Sequence, residues 1–113
     1  MGSSSGVSDR KWGDVDEADY ADADEYCTAC LIDLNESGER RAKDRCKLPV
    51  YEPKKLGGRL NRNAVHAAGN HLVGGRGGVK APEEAERKAA RKLMQLYRQI
   101  GDEAPESLRE LAR

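Results

Sequence analysis

The chain has 113 residues, and its 20 Lys and Arg side chains are balanced by 20 Asp and Glu side chains. This length suits one domain with a modest core, because the chain has no Phe, one Trp and four Tyr. No stretch contains the roughly 18 consecutive apolar residues of a membrane helix, and no apolar segment follows the N-terminus as a secretory signal requires. The composition therefore excludes a membrane-spanning helix and favours an intracellular protein.

The N-terminal segment divides into a polar tail and an acidic arm. Residues 1–10, MGSSSGVSDR, are small and polar, so we expect a flexible tail there. Residues 11–113 are expected to form a single helical domain. Trp12 is the one bulky apolar side chain ahead of an acidic run, and we expect it to anchor this acidic arm to the domain.

A first helix is predicted from Tyr20 to Leu31, because apolar side chains recur there at three- and four-residue spacing. After a basic connector comes the segment KLPVYEP, in which Pro49 lacks the N–H donor of a central strand. We therefore expect an edge strand or extended segment, closed by a turn at Gly57 and Gly58.

Three further helices are predicted in the second half of the chain. Asn61 is a good cap for the second helix, which Gly74 and Gly75 should end. Pro82 opens the third helix and Gly101 terminates it, with one apolar face formed by Ala85, Ala89, Leu93, Leu96, Tyr97 and Ile100. Pro105 opens a short final helix. The predicted fold class is mostly α, with three main helices, a short C-terminal helix and one extended KLPV segment.

Charge is strongly polarised along the chain. Acidic side chains crowd the first third, and residues 40–80 are basic. One interpretation is that the acidic and basic parts face each other or are simply solvated. The alternative is a basic face for nucleic acid or an acidic partner. Its candidate binding residues are Arg59, Arg62, Arg76 and Lys80.

The three cysteines leave three interpretations open. Cys27, Cys30 and Cys46 with His66 form a donor set that zinc accepts. Buried free thiols are favoured over zinc, because Cys27 and Cys30 lie on the predicted apolar stripe and an odd number of cysteines suits a reducing compartment. A disulfide between two of the three is the remaining interpretation. Redox catalysis is disfavoured, because the Cys-x-x-Cys pair lies near a helix C-terminus.

No catalytic motif stands out. The glycine loop at residues 74–80 does not match a phosphate-binding loop, because Val79 precedes Lys80 and Ala81 follows it. The Ser residues lie in predicted tails and loops, so no triad follows from their spacing. The sequence predicts neither an enzyme nor a cofactor.

The order of several motifs resembles a known family. The segments are DRKWGDVDEADY, ACLIDLN, CKLPVYEP, GRLNRNAVHAA and GGRGGVKAPEEAERKAARKLMQLYRQIGDEAPESL. They are similar to a small module of unknown function from tailed bacteriophages and prophages, which occurs alone or appended to head-assembly proteins such as prohead proteases. The resemblance implies no catalytic residue, and it implies that the positions of Cys27 and Cys46 are not restricted to cysteine.

The resulting expectation is a non-enzymatic phage accessory or virion-associated module, located in the host cytoplasm or the virion. Its expected partner is a phage or host protein, with capsid as one candidate. The first alternative is a small nucleic-acid-binding or regulatory protein that uses the basic 40–80 surface. The second alternative is a zinc-stabilised interaction domain. Salt dependence of binding and metal analysis separate the three.

Overall fold

The computed structural model of the chain describes residues 6–36, 38, 40–74 and 81–113. Its α-helices are α1 (Ala23–Ala29), α2 (Arg62–Val73), α3 (Glu83–Ile100) and α4 (Glu106–Ala112). Its strands are β1 (Val7–Ser8), β2 (Cys30–Asp33), β3 (Cys46–Pro49) and β4 (Leu60–Asn61). The helical prediction is confirmed, but the strands form two small sheets, so the fold is mixed and not a helical domain with one extended segment. None of the described helices is long and apolar enough to cross a membrane.

The chain divides into two compact units, Met1–Ala64 and Val65–Arg113, called here the N-terminal and C-terminal units.

In the N-terminal unit, the first helix is shorter than the sequence predicts. Asp22 caps α1 by accepting a hydrogen bond from the Glu25 backbone N–H at 2.9 Å. The helix ends at Ala29, and the next four residues form β2, which pairs antiparallel with β3. The predicted helix through Leu31 is therefore wrong at its C-terminal end, because pairing with the KLP segment outweighs the local helical pattern. The extended segment itself is confirmed as β3.

The first residues of the described chain belong to the fold. Val7 pairs with Leu60 and Ser8 pairs with Asn61 in a parallel arrangement. Ser8 is only 4% exposed. The prediction of a flexible tail through residue 10 is therefore wrong from Val7 onward, because backbone pairing to β4 holds this segment in place.

Aromatic side chains organise the core of the N-terminal unit. Tyr20 and Tyr26 are buried and stack edge to face, with ring centroids 5.1 Å apart. The Tyr20 hydroxyl also donates to the Tyr51 carbonyl oxygen at 2.6 Å. Trp12 is half-buried in a short 3-10 turn, so the deeply buried aromatic anchor of the acidic arm is Tyr20.

The C-terminal unit follows the predicted helix pattern closely. α3 ends at Gly101, which has the left-handed φ of 80° that glycine tolerates, and its N–H bonds back to the Arg98 and Tyr97 carbonyls. Pro105 directly precedes α4, whose Leu108 is fully buried. The buried face of α3 consists of Ala89, Ala90, Leu93, Leu96, Tyr97 and Ile100.

Candidate functional site

The predicted basic binding residues have different environments. Arg59 is exposed and directly follows the turn at Gly57 and Gly58, whose φ values are 117° and 66°. The Arg62 guanidinium contacts the Asp9 carboxylate at 2.8 Å. Arg76 and Lys80 lie outside the described residues. Of the described pair, therefore, Arg59 is presented to solvent and Arg62 is held in an ion pair.

Acidic and basic segments pair with each other inside the N-terminal unit. Lys55 contacts Asp19 at 3.0 Å, and Arg41 contacts Asp33 at 3.0 Å. Other cations bond to backbone carbonyls: Lys43 to those of Glu17 and Tyr20, Arg45 to that of Leu34, and Lys47 to that of Asp44. These contacts agree with the first interpretation of the charge pattern, that the acidic and basic parts face each other or are simply solvated: Arg41 and Lys55 contact carboxylates, and Arg59 is exposed to solvent.

A groove of about 620 Å³ lies beside α1. Its apolar part includes Ala29 and the half-buried Tyr51, and exposed Thr28 lines it from the helix. Carboxylates surround that apolar part, with Lys54 as the single cation of the lining. The complete lining of this α1 groove is Ala21, Asp22, Asp24, Glu25, Thr28, Ala29, Tyr51, Glu52, Lys54 and Gly58.

Hydrogen bonds from the loops hold the groove in shape. Glu25 accepts from the Ala21 N–H at 3.3 Å and from the Lys54 N–H at 2.8 Å. One side chain of α1 thereby ties the segment before the helix to the segment after β3. Because Glu25 already accepts backbone donors, it positions the groove wall and is not a loose surface charge. Glu25 therefore fixes the position of one wall of the groove.

Glu52 is a buried carboxylate that sequence analysis did not single out. It is 2% exposed, and its Oε2 accepts from the Asn61 side-chain amide at 2.9 Å and lies 3.6 Å from the Arg10 guanidinium. Its Oε1 has no hydrogen-bond partner among the described residues. The signal was present in the sequence, because Leu48, Val50 and Glu52 follow the two-residue period of a buried strand face.

The cysteines adopt the arrangement that sequence analysis disfavoured. Cys27 and Cys46 form a disulfide, and Cys30 is the free thiol. The prediction of buried free thiols is therefore wrong for Cys27 and Cys46. Burial raises the pKa of the Cys30 thiol to about 12, which makes it a poor nucleophile at neutral pH. Two of the four proposed zinc ligands are thus bonded to each other, and the fourth, His66, belongs to the C-terminal unit.

His66 forms a polar cluster within the C-terminal unit. Its Nε2 is 2.8 Å from Asp102 Oδ2, and its Nδ1 is 3.5 Å from the Tyr97 hydroxyl. Tyr97 is only 2% exposed, and burial raises the pKa of its hydroxyl. The Tyr97 hydroxyl thus contacts the imidazole from a buried position. The cluster therefore connects α2, α3 and the residue after Gly101.

No known protein family, curated protein or solved structure gives a significant match to this chain.

Proposed function

We propose that this chain is a phage-encoded accessory or virion-associated module that binds a capsid or other head protein and catalyses no reaction. The phage context rests on the order of the segments CKLPVYEP, GRLNRNAVHAA and GGRGGVKAPEEA, which resembles that of the phage module. The binding role rests on the surface of the N-terminal unit.

The single observation that carries the proposal is the neutralisation of the basic segment. Residues 1–64 contain 11 Lys and Arg side chains against 13 Asp and Glu side chains. Cations of the basic segment, among them Arg41, Lys55 and Arg62, already contact carboxylates of the same unit. A nucleic-acid interface needs uncompensated cations to replace counterions along the phosphates. This mixed-sign surface is better suited to a protein than to a polyanion.

The α1 groove offers a place for such a partner. Its apolar part, at Ala29 and Tyr51, would bury an apolar side chain of the partner. Its carboxylates, Asp22 and Asp24 among them, would steer a Lys or Arg of the same segment and set its register. We therefore expect the partner to insert a short segment that combines an apolar residue with a cation.

The test is affinity capture of the tagged full chain from phage-infected or prophage-induced cells, with nuclease treatment and mass spectrometry. Thr28→Trp places a bulky side chain in the groove from an exposed position of α1. Ser107→Trp is the matched control, because Ser107 is an exposed residue of the equally short α4 and lies outside the lining of the groove.

Recovery of a capsid or head protein after nuclease treatment is the expected result. Thr28→Trp should lower that recovery by roughly tenfold, which corresponds to about 1.4 kcal/mol of binding free energy, and Ser107→Trp should not. Proteins that disappear once nucleic acid is digested would refute the proposal in favour of nucleic-acid binding. If Thr28→Trp captures the partner normally, the groove is not the interface, and Arg59→Glu then tests the exposed turn.

A further inference from the structure

The side-chain amide of Asn35 lies among four acceptors beside the disulfide. Its Nδ2 is 2.8 Å from Asp33 Oδ1 and 3.2 Å from Cys46 Sγ. The same nitrogen is 3.3 Å from the Ala42 carbonyl oxygen and 3.6 Å from Cys27 Sγ. A primary amide nitrogen has only two hydrogens to donate. The two sulfurs and two oxygens therefore surround a nitrogen that can donate to only two of them. A metal ion at the same place could bind more than two of these atoms.

The fold brings these donors together from three segments. Asp33 lies directly opposite Cys46 in the β2–β3 register, and directly opposite residues share a face of the sheet. Cys27 comes from α1. One ligand atom from each of these three residues lies within 4.8 Å of the others. Cys30 is excluded by the alternation of β2, which places it on the other face from Asp33.

We propose that reduction of the Cys27–Cys46 disulfide converts this cluster into a zinc site with Cys27, Cys46 and Asp33 as its protein ligands. A dithiol reductant supplies two electrons and two protons: the S–S bond breaks, two thiols form, and the dithiol closes to its own disulfide. Zn²⁺ then displaces the two thiol protons to solvent and forms two Zn–S bonds of about 2.3 Å. The Asn35 amide leaves the centre, and a water molecule completes four-coordination. The disulfide and the zinc site are alternative states of one cysteine pair.

Asp33 links the proposed zinc site to solvent, and its two carboxylate oxygens have different partners. Its side chain is 28% exposed and lines, with Asn35 and Arg41, a cavity of about 750 Å³. The Arg41 guanidinium contacts Oδ2 at 3.0 Å, whereas Oδ1 is the oxygen that receives the Asn35 amide. Oδ1 can therefore bind the metal while Arg41 continues to hold Oδ2, as outer-shell partners of zinc ligands do.

The experiment compares the oxidised full chain with the same chain after dithiol reduction and anaerobic removal of the dithiol. Zn²⁺ affinity is measured by competition with a chromophoric chelator, and Co²⁺ substitution reports thiolate ligation by its near-ultraviolet charge-transfer absorption. Asp33→Ala and Cys46→Ser remove proposed ligands. Cys30→Ser is the matched control, because it removes the one cysteine outside the set, and circular dichroism checks that each variant is folded.

Reduced wild type and reduced Cys30→Ser are expected to bind one Zn²⁺, and oxidised wild type none. Cys46→Ser should lose binding, and Asp33→Ala should weaken it by more than roughly tenfold, since even an outer-shell partner contributes that much. The proposal is overturned if the reduced wild type binds no Zn²⁺, if Cys30→Ser abolishes binding, or if Asp33→Ala binds as tightly as wild type. The comparison of two redox states of one chain keeps the test independent of any folding defect in a variant.

Discussion

Asn61 is the residue whose replacement tests the structure of the N-terminal unit most directly. It is fully buried, and its Nδ2 donates at 2.9 Å both to Glu52 Oε2 and to the Arg10 carbonyl oxygen. Its Oδ1 accepts from the Ala64 N–H at 2.8 Å, which caps α2 as the sequence predicts. One side chain therefore joins the segment after β1, the segment after β3 and the start of α2.

Asn61→Ala should lower the free energy of unfolding by about 2.5 to 4 kcal/mol. Loss of the helix cap contributes about 1 kcal/mol. Loss of the amide donor to Glu52 contributes roughly 1.5 to 3 kcal/mol, because the buried carboxyl group then lacks its amide partner. This loss is large beside the 5 to 15 kcal/mol that typically separates folded from unfolded states.

The assay is urea unfolding followed by the fluorescence of Trp12, the only tryptophan in the chain, which reports on the N-terminal unit. Asn63→Ala is the matched control: Asn63 is exposed, and its amide donates to the Asp9 and Arg10 carbonyls. Water replaces those bonds, so the control should lose less than about 1 kcal/mol. Asn61→Asp keeps the cap acceptor but sets a second carboxylate against Glu52, and should also be destabilising.

Equal losses in Asn61→Ala and Asn63→Ala would refute this reasoning, since only Asn61 caps α2 and holds its amide buried against Glu52. A stable Asn61→Asp variant would show that the contact with Glu52 contributes little and that the cap is the main function of Asn61.

Three further predictions concern other parts of the chain. Replacing Cys27 and Cys46 with Ala removes a crosslink between positions 19 residues apart. The free energy of unfolding should fall by about 3 kcal/mol, because the unfolded chain gains the entropy of the opened loop. With a metal chelator present, a reductant should destabilise the wild type by a similar amount and leave the variant unchanged. Cys30 should react with iodoacetamide at pH 8 at least about 100-fold slower in the folded than in the unfolded chain, because burial raises its pKa to about 12 and leaves little thiolate. The rate in the folded chain should rise as the pH approaches that pKa. Equal rates in the folded and unfolded chains would contradict the burial of Cys30. Leu108→Ala should cost about 2 to 5 kcal/mol in thermal unfolding followed by circular dichroism, because Leu108 is fully buried. Leu111→Ala, at a half-buried position of the same helix, should cost clearly less, and equal costs would contradict the packing.

The candidate surfaces could be predicted only in part. Exposure of Arg59 follows from its place after two glycines, and pairing of Arg62 with an acidic residue follows from the charge pattern. The α1 groove could not be foreseen, because its lining comes from residues 21–29 and 51–58, which local patterns do not place side by side. The Cys27–Cys46 pairing was open for the same reason: three cysteines allow three pairings, and only the tertiary packing of α1 against β3 brings Cys27 to Cys46.

By itself the sequence determined the elements whose signals are local. Asn61 as a cap, Gly101 as a terminator and the 3.6-residue apolar period of α3 act within a few residues, so they specify helices before any tertiary contact forms. Tertiary structure alone decided that α1 stops at Ala29 and that β1 joins β4. The end of α1 and the β1–β4 pairing both depend on backbone hydrogen bonds between segments far apart in the chain. Such bonds satisfy the N–H and C=O groups of two strands at once, and this outweighs the weak local preference of a short segment.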